Sequence, residues 1–232
     1  MSSNIRVTYT NEGSFRYGVL YFVGTIAIVS IALNAFLILR GVKPDFWRTL
    51  RSGMLAPPKV RSGDHVRGPN DASITVIEYS DFECPFCKQL HYSLKRLVAD
   101  SKIRWVYRNA PLTQLHPKAM EAAIAAECAG EQGMFWEYTD SLFDHQGQLS
   151  QEHTLDLLAD DLGIQRERFN QCRQGEGKEI VSSQLKEAAQ RDINATPTFY
   201  INRERIVGAI PDSELLARLK EARKSLAKEE LR

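Results

Sequence analysis

Apolar positions along this chain follow two periods, and the switches between them outline a small sheet interrupted by helices. Residues 74–79 (ITVIEY) alternate apolar and β-branched side chains and predict a strand. Leu90, Leu94, Leu97 and Val98 then recur at helical spacing. That helix is expected to start near Cys84, with Pro85 in its first turn, where the missing N–H costs nothing. Residues 103–107 predict a second strand, so strand, helix and strand form a βαβ unit with a parallel pair. From 117 to 191 the pattern is helical throughout: an alanine-rich stretch over 118–128, an aromatic one over 134–143, a leucine-bearing one opened by Ser150 and ended by Gly163, and another over 180–189. Residues 198–202 and 206–209 predict a hairpin turning through Asn202, Arg203 and Glu204. A last amphipathic helix starts at Asp212 or Ser213 and buries Leu215, Leu219, Ala222 and Leu226. The order βαβ, helices, ββα is an α/β fold, and no internal repeat is visible.

Upstream the pattern changes. Residues 17–39 carry no charge, and a helix of that length spans roughly 35 Å, enough to cross a bilayer. Ala32-Leu33-Asn34-Ala35 puts leucine where a cleavage site needs a small residue, so an uncleaved anchor is expected. Residues 40–70 hold eight glycines and prolines without apolar periodicity and read as a linker. The expected organisation is a tail (1–16), one transmembrane anchor (17–39), the linker (40–70) and a domain over 71–232 with a helical insert about 113–191.

Charge changes this picture in one respect. Thirty basic and 29 acidic residues give a net +1, which does not mark a nucleic-acid surface. The local balance is less neutral. Arg40, Lys43, Arg48 and Arg51 follow the apolar span, and by the positive-inside rule they would hold the domain in the cytoplasm. Four cysteines in an exchange-type arrangement suit an oxidising compartment instead, and the expectation is a domain outside the cytoplasm.

The chemistry is concentrated in Cys84-Pro85-Phe86-Cys87, directly after the first strand. Two cysteines at this spacing can close a small disulfide or open to a dithiol. A sulfur at a helix start meets free N–H groups and the positive end of the helix dipole, which favour the reactive thiolate. A zinc site would need a second paired cluster, and none exists. Glu78 lies six residues before Cys84 on an otherwise apolar strand; a carboxylate buried there is costly unless neutral or hydrogen-bonded, and the other reading is a solvent-facing position. Cys128 and Cys172 lie in the insert and are not spaced for catalysis. They are expected to form a structural disulfide, the alternative being two buried free thiols. His91 is expected on a solvated helix face, and His116 as a capping or surface residue.

The pair formed by Cys84-Pro85-Phe86-Cys87 and, about 110 residues later, Ala195-Thr196-Pro197-Thr198-Phe199 resembles the thioredoxin superfamily. The helical insert and the segment Ala126-Glu127-Cys128-Ala129-Gly130-Glu131-Gln132-Gly133, followed by Phe135-Trp136, resemble its DsbA-like branch. The resemblance covers residues 71–226. It implies a thioredoxin fold in which Cys84 is the nucleophile, Cys87 the less exposed resolving cysteine and Pro197 a cis proline beside them. It further implies a Thr196 backbone that pairs with substrate and a Glu78 that relays the resolving proton. No cofactor or metal is implied. The implied partners are unfolded or partly folded cysteine-containing proteins and a quinone-linked membrane oxidase. Phe86 departs from the Cys-Pro-His-Cys motif of strong oxidants, because phenylalanine cannot donate to the thiolate. Asp81 and Glu83 are expected to disfavour that thiolate and Lys88 to favour it. The Cys84 thiol is therefore expected between the values of about 3.5 and 7 known for DsbA and thioredoxin. The functional expectation is a protein disulfide oxidoreductase that introduces disulfides into exported proteins. The alternatives are a disulfide reductase or isomerase, and a thiol-based Cu(I)-handling protein.

Overall fold

Five strands, β1 (His65–Arg67), β2 (Ile74–Ser80), β3 (Ile103–Asn109), β4 (Thr198–Ile201) and β5 (Glu204–Val207), form one sheet in the order β1-β3-β2-β4-β5. Only β2 and β3 run parallel; the other pairs are antiparallel. The structure, a computed structural model, describes residues 56–100 and 102–230. All of them belong to the compact unit Met54–Arg232. Seven α-helices accompany the strands: α1 (Pro85–Asp100), α2 (Ala119–Gly130), α3 (Phe135–Asp144), α4 (Thr154–Asp161), α5 (Arg166–Gln174), α6 (Glu176–Gln190) and α7 (Asp212–Glu230).

The period of two in β2 and β3 assigns each face of the sheet its own cover. Ile74, Val76, Trp105, Tyr107 and Phe199 join one core with Leu90 and Leu94 of α1, the insert helices and Leu215 of α7. Ile77, Tyr79, Val106 and Tyr200 point the other way, against Ala188 of α6 and Val60. Because β2 is central, its residues are nearly all buried, and any polar group there must find a partner inside. The hairpin is tighter than its sequence suggests: Asn202 takes a left-handed φ of 52°, its N–H donates to the Thr75 carbonyl (2.8 Å), and its Oδ1 accepts from the Thr75 N–H (2.9 Å).

Two expectations are corrected. The stretch 40–70 is not linker to its end, since β1 lies within it and pairs His65 with Tyr107 and Arg67 with Trp105. Its glycines bracket an edge strand: Gly68 has φ 99°, and a Cβ there would stand 2.2 Å from the Ile103 carbonyl oxygen. The helix expected to open at Ser150 begins at Thr154 instead. Residues before it form turns, closed by Thr154 Oγ1 donating to the Gln148 carbonyl (2.9 Å). The expected tail (1–16), anchor (17–39) and first part of the linker lie outside the described residues. Among the described residues no helix is long and apolar enough to cross a membrane.

Within the insert Cys128 of α2 is bonded to Cys172 of α5, with S–S 2.04 Å and Cα–Cα 5.6 Å. Gly177 seals this bridge, as a Cβ there would stand 2.6 Å from Cys128 Sγ.

Candidate active site

The turn between β2 and α1 is built by Asp81. Its Oδ1 accepts the Glu83 N–H (2.8 Å) and its carbonyl accepts the Cys84 N–H (3.1 Å), which tips the chain into the helix at Cys84. Pro85 is the first helical residue. The Cys84 carbonyl accepts from the N–H groups of Cys87 (3.1 Å) and Lys88 (3.2 Å), closing the first turn.

Across this turn the chain returns 112 residues later, and Cys84 Sγ donates to the Thr196 carbonyl at 3.3 Å. The Thr196–Pro197 peptide bond is cis. Cys84, Cys87, Thr196, Pro197 and Glu78 therefore meet at one end of the sheet. Cys128 and Cys172 form their own bridge in the insert and take no part in the hydrogen bonding of this site.

The two free thiols are opposed in proton affinity. Hydrogen bonding from the Cys87 thiol, against the cost of burial, holds the Cys84 thiol down to about 6, with help from the backbone N–H groups of Cys87 and Phe86. That value lies between those of DsbA and thioredoxin. Burial pushes Cys87 well above the usual thiol range, and the nearby Cys84 and Glu78 add to this. Cys87 is the less exposed of the two, at 0 % against 4 % for Cys84, and both are buried. The helix start does not leave the Cys84 side chain open to solvent. Instead Phe86 is the exposed member of the motif, at 60 %.

Glu78 is fully buried, and burial raises its carboxyl to about 7, although the Ser80 hydroxyl and the hydrogen bond from Trp105 lower it. Trp105 Nε1 donates to Oε2 at 2.9 Å, while Oε1 has no partner. Asp81 and Glu83, expected to disfavour the thiolate, are engaged elsewhere. Asp81 Oδ2 accepts from Leu112 N (2.7 Å) and lies 2.9 Å from His116 Nδ1. Glu83 Oε2 accepts the Lys118 N–H at 2.5 Å. Together they clamp the segment after β3 to the active-site turn, and His116 is part of that clamp.

His91 corrects another expectation. It is fully buried between Trp105 and Phe143, with Nε2 2.7 Å from Asp140 Oδ1, and burial holds its proton affinity down despite that carboxylate. Arg67 and Lys95 bind the same carboxylate. Although burial opposes it, the hydrogen bonds from His91, Arg67 and Lys95 keep Asp140 well below the usual carboxylate range.

Sequence reasoning missed Gln146, whose Nε2 donates to the carbonyls of Phe82 (2.8 Å) and Cys84 (3.0 Å) from the short turn after α3. Nothing local in the chain signals a partner 62 residues away. The Asp81 turn had a signal, an aspartate two residues before Glu83 at a helix start. Among the described residues no group of three or more His, Cys, Asp or Glu side chains is placed to hold a metal ion.

Residues 61–221 match a family model described as Thioredoxin. Among curated proteins, the Na(+)/H(+) antiporter NhaA 1 of Salinispora arenicola is 43 % identical over 150 residues, which cover 63 % of this chain and 22 % of the antiporter. The chain spans about a quarter of the length of the curated relatives it matches. Among solved structures, a thioredoxin-like oxidoreductase from Silicibacter pomeroyi superposes with TM-score 0.60 at 25 % identity, covering 75 % of this chain and 98 % of that one. The alpha-DsbA1 of Wolbachia pipientis shares the fold, with TM-score 0.63, 20 % identity and coverage of 76 % and 98 %.

Proposed function

Since this chain belongs to the thioredoxin family over residues 61–221, we propose that it is a DsbA-like thiol:disulfide oxidoreductase that introduces disulfides into exported proteins. The observation that carries this reading is the opposition of the two thiols, Cys84 held down to about 6 and Cys87 pushed up by burial. In the oxidised protein a substrate thiolate attacks Cys84 Sγ. The Cys84–Cys87 bond breaks, and the electron pair goes to Cys87 sulfur, which takes a proton. A second substrate thiolate then attacks the substrate sulfur of the mixed disulfide and expels Cys84 as thiolate. A leaving thiol of low proton affinity leaves faster, so the Cys84 environment assists this release. The Thr196 carbonyl, 3.3 Å from Cys84 Sγ, lies where an extended substrate backbone would pair. Glu78, with its carboxyl near 7, is the proton acceptor and donor for Cys87.

The reading extends to location and partners. The uncharged span 17–39 serves as the anchor, the domain faces an oxidising compartment, and a quinone-linked membrane oxidase restores the disulfide. A reductase running in the opposite direction is the second reading. It is favoured by the Cys84 value, which lies nearer to thioredoxin than to DsbA.

Alkylation trapping of the Cys84–Cys87 redox state in cells separates the two. A mainly oxidised pair supports the oxidase; a mainly reduced pair overturns it in favour of the reductase. Cys87→Ala is expected to accumulate mixed disulfides at Cys84, visible by non-reducing electrophoresis, since internal resolution is lost. Their absence would remove Cys84 as the exchanging sulfur.

A further inference from the structure

Three buried oxygens without a hydrogen-bond partner lie on one patch of the sheet: Glu78 Oε1, Ser80 Oγ and the Tyr107 hydroxyl. Their residues are 0 %, 1 % and 0 % exposed. Glu78 and Ser80 are two apart on β2 and so share a face, and Tyr107 stands opposite Glu78 in the register with β3. Buried polar atoms are ordinarily paired, so a group of unpaired ones calls for an explanation. The patch lies on the α1 side of the sheet. Asp81, the residue after Ser80, donates its N–H to Cys87 Sγ at 3.4 Å.

The three oxygens differ in what they can do. Trp105 fixes Glu78 Oε2 as an acceptor, which leaves Oε1 to carry the proton. Burial, joined by the Glu78 charge, pushes the Tyr107 phenol well above its usual range, so it stays protonated. Like the Tyr107 hydroxyl, the Ser80 hydroxyl can accept on one side and donate on the other without gaining charge, and it shares β2 with Glu78 and precedes Asp81, whose N–H donates to Cys87 Sγ. Against the burial that raises them all, it lowers the proton affinity of Glu78, Cys87 and Tyr107 alike. It makes no hydrogen bond of its own in the structure. The titratable groups around it are Glu78 on its own strand, Asp81 in the following turn, Tyr107 on β3, and Cys84 and Cys87 at the start of α1.

We propose that the Ser80 hydroxyl carries the proton between Cys87 and Glu78, a step that rests on reading Cys84 and Cys87 as an exchanging pair. When Cys87 resolves a mixed disulfide, its S–H proton passes to Ser80 Oγ while the Ser80 hydrogen passes to Glu78 Oε1. The electron pair left on Cys87 sulfur forms the bond to Cys84 Sγ, and the substrate leaves as thiolate with the pair of the broken S–S bond. Nothing is oxidised beyond the two cysteines, and Ser80 ends as it began. In the oxidising direction the same hydroxyl returns the proton to Cys87.

The test uses the reduced full-length chain and Ellman's reagent, which releases one thiolate as Cys84 attacks and a second as Cys87 resolves the adduct. Ser80→Ala is expected to slow the second phase about tenfold or more and to leave the first unchanged. Ser80→Thr, which keeps the hydroxyl, is expected to restore it. Adding Glu78→Gln to Ser80→Ala should slow the second phase no further, and each should remove its pH dependence near neutrality. Removing an unpartnered hydroxyl does not threaten folding. A second phase unchanged in Ser80→Ala, or one slowed to the same extent as the first, overturns the relay while leaving the exchanging pair intact. A wild-type chain with no second phase removes the pair itself, and the relay with it.

Discussion

The two faces of the central strands handle buried polar groups in opposite ways. On one face Arg108 is fully buried and uses all of its fork. It donates to Asp64 (3.1 and 2.8 Å), both Glu187 oxygens (3.0 and 3.1 Å), the Tyr79 hydroxyl (3.0 Å) and the Lys59 carbonyl (2.7 Å). On the other face, Glu78 and Tyr107 are the chain neighbours of Tyr79 and Arg108, and each keeps an oxygen idle beside Cys87. A satisfied network locks geometry, here tying residues 59–64 and α6 to the sheet. An unsatisfied one stores the freedom to move a proton. Two successive residues on one strand thus meet opposite surroundings, one fully paired and one not, because the pleat sends them to opposite faces.

The largest way to break this contrast is Arg108→Met. It strands Asp64 as an uncompensated charge and leaves Glu187 with Arg61 and Arg191 alone; the two carboxylate side chains are 7 % and 8 % exposed. A loss of about 3–5 kcal/mol is expected in denaturant unfolding, with the Cys84 alkylation rate of the folded protein unchanged. A loss below about 1 kcal/mol would mean that the network is not structural.

Glu78→Gln acts on the working face. A carboxyl raised from 4.5 to about 7 gives stability that is complete below about 4.5 and lost as pH rises through about 7. The loss across that window amounts to roughly 3 kcal/mol. The glutamine variant is expected to lack this slope in pH-dependent unfolding, and to be at least as stable as wild type at pH 8. An unaltered slope would place the titration elsewhere.

The smallest effects make the sharpest comparison, since one chemical change is applied to both faces. Tyr79→Phe removes a bond to Arg108 and should cost about 1 kcal/mol. Tyr107→Phe removes a hydroxyl that bonds to nothing and should be neutral or slightly stabilising. Equal costs in thermal unfolding would erase the distinction between the faces.

Much of the candidate site was legible in the chain because its signals are local. A β-branched run, Cys84-Pro85 at a helix start and the X-Pro dipeptide at 196–197 each depend on neighbours within a few residues. So do the α/β class, the helical insert and the hairpin. Where the reading failed, the deciding partner was distant. The edge strand β1 is three residues long and exists through its pairing with β3, so its flanking glycines read as linker. His91 reads as a solvated position from its place on the helix, yet Asp140, Trp105 and Phe143 close over it. The charges of Asp81 and Glu83 count for little at Cys84 because residues 112–118 supply their partners.

What the sequence by itself determined is therefore the position of the paired cysteines and the elements that carry them, since periodicity and turn chemistry are written residue by residue. Only the tertiary structure decided which thiol holds its proton, which oxygens stay unpaired and which charges are spent on folding. Burial and hydrogen bonding set those outcomes, and both depend on side chains that the chain brings together from tens of residues apart.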